Sequence, residues 1–523
     1  MTFSSLKGRR ILVTGYDLEQ GEHRGIAVFS KALIRCLNEA GAEVWLLTGF
    51  SPVTSRRFQK LPKQTRRLIQ MATLLDSLVE GRQTSEVSFL ERRFTWVRRF
   101  RSWQRRISLL IELINRPKAY KANNVLSLRL QGLKDNPYLR VERLSYMHDL
   151  EGIVSAPGIF FASQSAAMLS TQKPVTVDLH GFDALLTTCP LNILPSGVPV
   201  FAQSVHDLIP LEYFAHNENQ LMFSHRLQAC LPARRLYVSN ATAQKFHERI
   251  LEPEQSPDQP PRRRIEQGEY VVMQPPSLQF PDWLISDSKN VGDLEPATYL
   301  LRSDATKKPP KDADSKTLQT WVEQPILNRT KRLQPFRYLL FNSSVEARKN
   351  LFLLAEAYAE SNLSSQGIHL CVTGKLKGDD YSKAVQEIVQ QEPGILLTGY
   401  VNESTKLDLY LNALALLSPS LVEGFGIPVL DAACLGMPAL VSDSASHLEI
   451  AALHDFNEVV MPLSTLKSRD WADGMRAYSG LGRTLWQPKL APTERQRRIA
   501  RYVNYQKVFY TNLGHNLNAL LAN

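Results

Sequence analysis

Short apolar runs alternate with stretches of helical periodicity along most of this chain. Residues 10–14 form an apolar run, a helical pattern follows Gly25, and residues 43–47 form the next run. This strand–loop–helix–strand order is typical of the first unit of a parallel α/β domain. The pattern predicts one α/β domain over residues 1–280, interrupted after its second strand by an insertion at about 53–120. Further apolar runs lie at 158–162, 175–179, 198–204 and 236–239, with a helical stretch at 218–230.

The alternation stops at residues 281–335, which are rich in Lys, Pro, Asp, Ser and Thr and predict a linker or inserted loop. It restarts over residues 336–490 and predicts a doubly wound sheet, a fold whose ligands bind beyond the carboxyl ends of the strands. Helical periodicity over residues 491–523 predicts a C-terminal helix that can cross back to the first domain. The second domain has predicted strands at 338–341, 368–373, 395–398, 415–417 and 439–442, and predicted helices at 350–360, 381–391, 404–412 and 428–435.

Composition limits the class of protein. With 523 residues, of which 43% are hydrophobic and 22% charged, the chain is long enough for two sizeable cores. It contains no run of about 18–20 apolar residues that could span a membrane, and its first residues lack the apolar core of a signal peptide. The five cysteines have neither metal-site nor redox-motif spacing. We therefore expect a cytoplasmic protein in a reducing compartment.

The segment 418–438 carries the strongest local signal in the second domain. A predicted strand is followed by a loop with two glycines and then by a helix with Pro428 in its first turn, where the missing N–H is no loss. A helix N-terminus offers free N–H groups and partial positive charge to a phosphate, and glycines let the backbone approach it closely. On these residues alone, two interpretations stay open: a phosphate-binding helix start, and a plain strand–helix turn.

The same segment resembles the donor-site signature of glycosyltransferase family 4, in which two glutamates are separated by seven residues and Gly-Phe-Gly follows the first. Glu423 matches the first glutamate, and Asp431 stands where the family has the second. The resemblance implies an α/β protein of GT-B architecture, with two facing Rossmann-like domains and a donor cleft between them. It implies that Glu423 lies against the donor sugar, that Asp431 holds the ribose hydroxyls, and that the intervening loop holds the diphosphate. The loop residues implied in donor binding are Gly424, Phe425, Gly426 and Ile427.

Residues 341–350 resemble the strand-to-helix segment that carries the family's phosphate-binding lysine. The resemblance implies that Lys349, with Arg348, neutralises the diphosphate leaving group. Ser343 stands where the family often has glycine. Without that context, Arg348 and Lys349 fit the solvated start of a helix.

In the first domain, residues 205–210 resemble the family's strand-end histidine segment. His206 follows an apolar strand at the expected cleft and is the candidate that positions the acceptor or stabilises developing positive charge. His180 has the same setting and is the second candidate. Gly25 matches the glycine loop where the first domain approaches the donor phosphates, although Ala27 replaces that loop's second glycine.

These resemblances imply a retaining glycosyltransferase that moves a hexose from a nucleoside diphosphate sugar to a hydroxyl of a glycan or lipid-linked acceptor, in cell-surface polysaccharide or glycolipid synthesis. We expect no cofactor and no metal, because Asp312 and Asp314 lie in a loop rich in Lys and Pro with no strand before it. The departures at Ala27, Ser343 and Asp431 keep open a non-catalytic GT-B protein that acts as a membrane-associated scaffold. A sugar-nucleotide epimerase is a weaker alternative.

The insertion is strongly basic. Residues 53–106 hold fourteen basic and four acidic residues, so most of the net charge of +11 arises there. Apolar residues at three- and four-residue spacing, flanked by arginines, predict an amphipathic helix. Such a helix can bind an anionic membrane surface through residues 90–114 or pack its apolar stripe on its own domain; nucleic acid is the weakest of the three partners. The apolar positions are Trp96, Phe100, Trp103, Ile107, Leu110, Ile111 and Ile114.

Overall fold

A computed structural model of the protein divides into two compact units. Unit 1 comprises residues 1–275 and 510–523, and unit 2 comprises residues 276–509. The structure describes residues 6–52 without 22 and 24, 60–83, 95–130 without 116 and 117, 142–169, 173–213, 218–251, 268–280, 337–480 without 375, 377, 393, 400 and 402, and 491–522.

Unit 1 is built on an eight-stranded sheet in the order β11-β10-β9-β7-β1-β2-β5-β4. Neighbouring strands are parallel except for β4, which pairs antiparallel with β5 at one edge. The central strands are apolar and buried, as expected for a parallel sheet covered on both faces. The strands of this sheet are β1 (Arg10–Thr14), β2 (Glu43–Thr48), β4 (Leu126–Arg129), β5 (Gly152–Ser155), β7 (Ala184–Thr187), β9 (Val200–Val205), β10 (Arg234–Tyr237) and β11 (Glu269–Val271).

A second, three-stranded parallel sheet in unit 1 has the order β3-β6-β8. Its strands are β3 (Ala119–Tyr120), β6 (Val175–Asp178) and β8 (Ile193–Ser196). The helices of unit 1 are α1 (Gly25–Glu39), α2 (Lys63–Glu80), α3 (Thr95–Asn115), α4 (Ile159–Met168), α5 (Ile209–Glu212), α6 (Gln220–Gln228) and α7 (Asn240–Phe246), the last followed by a π-helical turn (His247–Leu251).

Unit 2 contains a six-stranded parallel sheet in the order β14-β13-β12-β15-β16-β17. Its strands are β12 (Arg337–Asn342), β13 (Ile368–Thr373), β14 (Ile395–Gly399), β15 (Leu416–Ser418), β16 (Ala439–Ser442) and β17 (Val460–Leu463). The helices are α8 (Leu351–Ser361), α9 (Asp380–Gln391), α10 (Glu403–Asn412), α11 (Ile427–Leu435), α12 (Ala445–Ala451) and α13 (Ser468–Ser479). The C-terminal helix α14 (Pro492–Leu521) begins in unit 2, and its residues from 510 onward belong to unit 1.

Each large sheet has a point where the chain reverses its direction of winding. In unit 2, β12 lies between β13, the next strand along the chain, and β15, which comes three strands later. In unit 1, β1 lies between β2 and β7 in the same way. Open parallel sheets bind ligands in the crevice that forms at the carboxyl ends of the strands flanking such a point. The loops after β12 and β15, and those after β1 and β7, are therefore the expected positions of ligand-binding residues.

The predicted α/β class is confirmed, and most predicted elements of unit 2 lie within a residue or two of those observed. The prediction of a strand-like run at 158–162 is wrong, because these residues open helix α4. Its residues are buried almost all round, so the sequence carries no helical alternation there. No helix in the described part of the chain is both long and apolar enough to cross a membrane. The predicted linker at 281–335 and Asp312 and Asp314 lie outside the described residues.

Candidate active site

The loop after β12 brings two basic side chains to the winding reversal of unit 2. A single 3-10 turn (Ala347–Lys349) ends at Asn350, whose backbone is left-handed with a φ of 54°. Asparagine tolerates that conformation better than most residues, and it allows α8 to start immediately afterwards. The backbone N–H of Leu421, in the loop after β15, donates to the carbonyl of Arg348 at 2.8 Å. The two loops that the topology singles out are thus bonded to each other.

Lys349 and Glu423 form a buried ion pair between these loops. The Lys349 ammonium donates to Glu423 Oε1, and the Arg348 guanidinium lies 3.8 Å from Oε2. Ser420 Oγ donates to Glu423 Oε1 at 2.8 Å. Burial alone would raise the pKa of Glu423, but Lys349 and Arg348 outweigh it and lower that pKa to about 2. Glu423 is therefore an anion at neutral pH that can only accept hydrogen bonds.

Burial lowers the pKa of Lys349, and the attraction of Glu423 opposes this. A compact ammonium with little water around it interacts strongly with any further anion that enters, since the local dielectric constant is low. The sequence motifs predicted that both residues lie in one site, and the structure brings them into direct contact.

The glycine loop ends in the start of helix α11. Gly426 has a φ of +100°, which favours glycine, and a Cβ there would lie 3.0 Å from Cδ2 of His447. The N–H groups of Val429 and Leu430 turn back to the carbonyl of Gly426. Pro428 occupies the first turn, as the sequence predicted. The loop thus delivers an α-helix N-terminus, with its partial positive charge, next to the Lys349–Glu423 pair.

Three side chains from β16 and α12 hold this loop from behind. Ser446 Oγ lies 2.9 Å from the carbonyl of Glu423 and 3.1 Å from that of Gly424. Ser442 Oγ donates to the carbonyl of Ser420 at 2.6 Å and therefore accepts from Nδ1 of His447 at 2.9 Å. Burial lowers the pKa of His447 to about 4, so this ring is neutral at pH 7. No role was predicted for Ser446, although a small hydroxyl residue at the N-terminus of the helix after β16 was visible in the sequence.

Asp431, the predicted ribose ligand, is 2% exposed on α11. Its Oδ1 accepts from the backbone N–H of Ser277 at 2.6 Å and from the hydroxyl of Tyr502 at 2.7 Å, and its Oδ2 accepts from Ser277 Oγ at 2.6 Å. Burial raises the pKa of Asp431, and these donors oppose the rise. Ser277 and Tyr502 carried no signal in the sequence. The ribose contact stays a prediction.

In unit 1, His206 lies at the carboxyl end of β9, beside the winding reversal. Its Nε2 donates to the carbonyl of Thr188 at 2.7 Å, and its ring packs edge-on against Phe29 at 4.9 Å between centroids. Burial lowers the pKa of His206 to about 4. Thr188 Oγ1 also donates to Asp17 at 2.8 Å, and burial raises the pKa of Asp17 to about 6. At neutral pH His206 is an uncharged ring with a fixed tautomer, which leaves the Nδ1 lone pair as an acceptor.

The other candidates of unit 1 have different settings. Gly25 is the first residue of α1, and its carbonyl accepts from the side chain of Gln274 at 3.2 Å. His180 is exposed and interacts with Asp178 of β6, in the small sheet. The buried site at the large sheet of unit 1 therefore holds His206 and not His180. Among the described residues, no group of three or more His, Cys, Asp or Glu side chains is arranged to hold a metal ion. Metal independence stays a prediction.

The Lys349–Glu423 pair makes the stability of unit 2 depend on pH. The pKa of Glu423 falls from 4.5 to about 2 on folding, so the stabilisation is present above pH 4.5 and is lost as pH falls toward 2. Over the whole window the loss is on the order of 3 kcal/mol. We expect the melting temperature of the wild type to fall relative to that of the Lys349→Met/Glu423→Gln variant between pH 5 and pH 3, because the variant lacks the titrating carboxyl group.

The exposed pair of Lys383 and Asp380 provides the control for this measurement. Its Lys383→Met/Asp380→Asn variant should keep a nearly constant difference from the wild type over the same range. Calorimetric melting curves at half-unit pH steps measure the melting temperatures of the wild type and both double variants. A constant difference for the Lys349–Glu423 pair as well would show that the pair does not lower the pKa of Glu423.

One protein family and several known proteins are similar to parts or all of this chain. Residues 325–476 match the family described as glycosyl transferases group 1. An O-antigen chain mannosyltransferase B from Escherichia coli is 30% identical over 115 residues, which are 22% of this chain and 30% of that protein. Among solved structures, a sucrose-phosphate synthase from Thermosynechococcus elongatus has 11% identity, coverage of 97% and 98% of the two chains, and a TM-score of 0.48. Anabaena HepE in complex with UDP-glucose has 11% identity, coverage of 97% and 99%, and a TM-score of 0.44.

The family match contains the Lys349–Glu423 pair, the glycine loop, and the serines and histidine that support it. It leaves unit 1 uncovered, and the curated relative is matched over less than a third of its length. Residues 325–476 of this chain thus match the group 1 glycosyl transferases, a match that rests on the same segment as the site.

Proposed function

We propose that the protein is a retaining, metal-independent glycosyltransferase of GT-B architecture. It moves a hexose from a nucleoside diphosphate sugar to a hydroxyl of a glycan or lipid-linked acceptor in polysaccharide or glycolipid synthesis. The observation that carries the proposal is the buried Lys349–Glu423 pair beside the start of helix α11, at the winding reversal of the sheet. The relative from Escherichia coli, an O-antigen chain mannosyltransferase, supports a mannosyl donor.

Each group at this site has a part in the transfer. Lys349 and Arg348 offset the charge that develops on the leaving diphosphate, together with the N-terminus of α11. Glu423 accepts hydrogen bonds from hydroxyls of the donor sugar, because its low pKa keeps it ionised. Ser446, Ser442 and His447 hold the loop in place while the charge moves, so no reorganisation is needed during the step.

Retention of configuration is consistent with attack from the face that the diphosphate leaves. The acceptor oxygen forms its bond to the anomeric carbon as the bond from that carbon to the phosphate oxygen breaks. The acceptor proton passes to the departing phosphate oxygen, so the step needs neither a protein nucleophile nor a redox partner. His206, as a neutral ring, would accept a hydrogen bond from the acceptor hydroxyl or stabilise the positive charge that develops on the sugar.

The test is turnover with defined donors. Purified protein is incubated in EDTA with nucleoside diphosphate mannose, glucose or galactose, with and without a membrane extract as the source of acceptor. We expect release of the nucleoside diphosphate from one donor only when the acceptor is present, and a product with the anomeric configuration of the donor by proton NMR. Binding of a donor without transfer to any acceptor would favour the non-catalytic scaffold, and conversion of the donor without acceptor would favour an epimerase.

We also propose that helix α3 binds an anionic membrane surface, which would bring the enzyme to a lipid-linked acceptor. One face of α3 packs on its own domain, where Leu113 is buried and Leu109 is partly buried against the core. A separate face carries Phe100, Trp103 and two isoleucines, and each of the four is about half exposed. The packing alternative therefore accounts for one face only. The exposed fractions are 50% for Phe100, 57% for Trp103, 55% for Ile111 and 53% for Ile114.

Charge favours a membrane over a second copy of the chain. The sequence of α3 places arginines on both sides of the exposed apolar stripe, and like charges on two such helices would repel. Aromatic rings at headgroup depth combined with arginines that attract anionic lipid are the pattern of interfacial helices. The side chain of Trp96, which the sequence places on the same stripe, lies outside the described residues.

The Phe100→Ser/Trp103→Ser variant should bind vesicles of phosphatidylcholine with 30% phosphatidylglycerol about tenfold more weakly than the wild type. Sedimentation with sucrose-loaded vesicles measures the change. A Leu466→Ser variant, which removes a 90% exposed apolar side chain from unit 2, should bind like the wild type. Equal vesicle binding by the wild type and the double variant would refute the membrane role. A dimer that forms without lipid and is lost in the Phe100→Ser/Trp103→Ser variant would identify a second copy of the chain as the partner.

A further inference from the structure

Asp431 occupies the centre of a closed set of hydrogen bonds within unit 2. Its carboxylate accepts from Ser277 twice and from Tyr502 once. The hydroxyl of Tyr502 in turn accepts from the backbone N–H of Leu278 at 2.6 Å. The side chain of Gln506, one turn further along α14, donates to the carbonyl of Leu278 at 3.3 Å. Each of these donors reaches Asp431, its partner Tyr502, or Leu278, the neighbour of its partner Ser277.

The set joins three parts of the chain that are far apart in sequence. Asp431 lies on α11, Ser277 and Leu278 open unit 2, and Tyr502 lies on α14. The ring of Phe280 packs against that of Tyr502 at 5.1 Å, which adds an apolar contact beside the polar one. Buried and fully satisfied networks of this kind fix one arrangement, because a partly satisfied arrangement leaves an uncompensated polar group.

We propose that Asp431 is a positioning residue that fastens the segment 276–280 and helix α14 to helix α11, and that it is not the ligand of the donor ribose. Both carboxylate oxygens already accept hydrogen bonds from Ser277 and Tyr502, and the residue is 2% exposed, so a ribose diol has no open approach to either oxygen. A glutamate would carry its carboxylate one bond, about 1.5 Å, further from the backbone, and the three short contacts could not all be kept. The aspartate at this position therefore matches the fastening role.

Fastening α11 should also affect binding at the donor loop, an inference that rests on the proposed function. Asp431 lies one turn after Ile427, the first residue of the helix, so the carboxylate anchors the turn whose N-terminus faces the diphosphate. Loss of the anchor should let that turn move and weaken binding of any diphosphate. The preference of the protein for a ribose over a 2′-deoxyribose nucleotide should not change.

The first arm of the test measures stability. Asp431→Ala, Ser277→Ala and Tyr502→Phe should each lower the melting temperature, and Asp431→Ala by about 5–10 °C. Tyr502→Phe should lower the melting temperature less in the Asp431→Ala background than in the wild type, because the two changes share the Tyr502–Asp431 bond and only Tyr502→Phe also removes the acceptor of the Leu278 N–H. Tyr505→Phe is the matched control, since Tyr505 lies on the same helix as Tyr502 and its hydroxyl also donates to a carboxylate, that of Asp455. Additive losses from Asp431→Ala and Tyr502→Phe would overturn the fastening role.

The second arm separates fastening from ribose binding. UDP, GDP and ADP, each with its 2′-deoxy form, are titrated into the wild type and Asp431→Ala at a temperature where both are folded. We expect Asp431→Ala to lower the affinity for the ribose and the 2′-deoxyribose form of the bound nucleotide by the same factor, about fivefold or more. The ratio of the two affinities should stay within about twofold of that in the wild type.

A preference for ribose that is present in the wild type and absent in Asp431→Ala would overturn the proposal, as would an Asp431→Glu variant that matches the wild type in melting temperature. Unchanged affinity of Asp431→Ala for both nucleotides would refute the link to the donor loop. If the wild type binds none of the nucleotides, the proposed function fails, and the melting temperatures alone decide whether Asp431 fastens the three segments.

Discussion

Replacing Lys349 with methionine should lower kcat/KM for sugar transfer by about 10²–10³-fold, because it removes the buried cation that faces the leaving diphosphate. The loss should appear mainly in kcat, since charge on the diphosphate grows as the sugar leaves. The same change leaves Glu423 buried without its main partner, which should lower the free energy of unfolding by about 3–5 kcal/mol. Initial rates at varied donor concentration, measured well below the melting temperature, separate the two effects.

The Lys349→Met/Glu423→Gln double variant is the control for stability. It replaces the ion pair with two uncharged side chains of similar size and should recover most of the lost stability. Its transfer activity should remain as low as that of the single variant or fall further, because Glu423 also contacts the sugar in the proposed mechanism. If the double variant regained activity along with stability, the role of Lys349 would be structural.

Replacing Gly426 with alanine should lower transfer by about 100-fold. The glycine has a φ of +100°, and the added methyl carbon would lie 3.0 Å from the ring of His447, which is itself held by Ser442. The backbone must move to relieve both problems, and a shift of about 1 Å in a site that positions reacting groups costs about two orders of magnitude in rate. The diphosphate affinity, measured by calorimetry, should fall with it.

Gly436 provides a matched control at the other end of the same helix. It also has a positive φ, of 70°, and an added methyl carbon would meet only the flexible side chain of Arg501 at 3.1 Å. Gly436→Ala should therefore lower stability by about 1–2 kcal/mol, as Gly426→Ala does, and leave nucleotide affinity unchanged. If both variants lost affinity equally, or neither did, the Gly426 loop would not be the diphosphate site.

Strands buried on both faces were the most predictable part of the fold. The bounds of β13 and β16 were predicted without error, because each is a mainly apolar run, with His369 inside β13 as the exception, that ends at a polar or glycine position. The run at 158–162 has the same composition and is helical, since a short buried helix and a short buried strand cannot be told apart by periodicity. Strands β3, β6 and β8 have two to four residues each, too few to show a period.

The site was predictable in its residue types and less so in its contacts. Lys349 and Glu423 were both assigned to donor binding from the residues around them, but 74 positions separate them. Their contact follows from the strand order, which places β15 beside β12 and which no local pattern encodes. The partners of Asp431 lie 154 and 71 positions away, at Ser277 and Tyr502. A buried carboxylate of this kind looks the same in a sequence whether it holds a ligand or another part of the chain.

Calorimetric titration of UDP, GDP and ADP into the wild type and the Lys349→Met/Glu423→Gln variant tests the central claim most directly, namely that this pair and the adjoining glycine loop form the nucleotide-sugar site. The wild type should bind one of the three nucleotides at one site per chain. The variant should bind the same nucleotide at least about 30-fold more weakly, the equivalent of roughly 2 kcal/mol for a lost charged hydrogen bond. Equal binding by the two proteins, or binding of no nucleotide by the wild type, would contradict the claim.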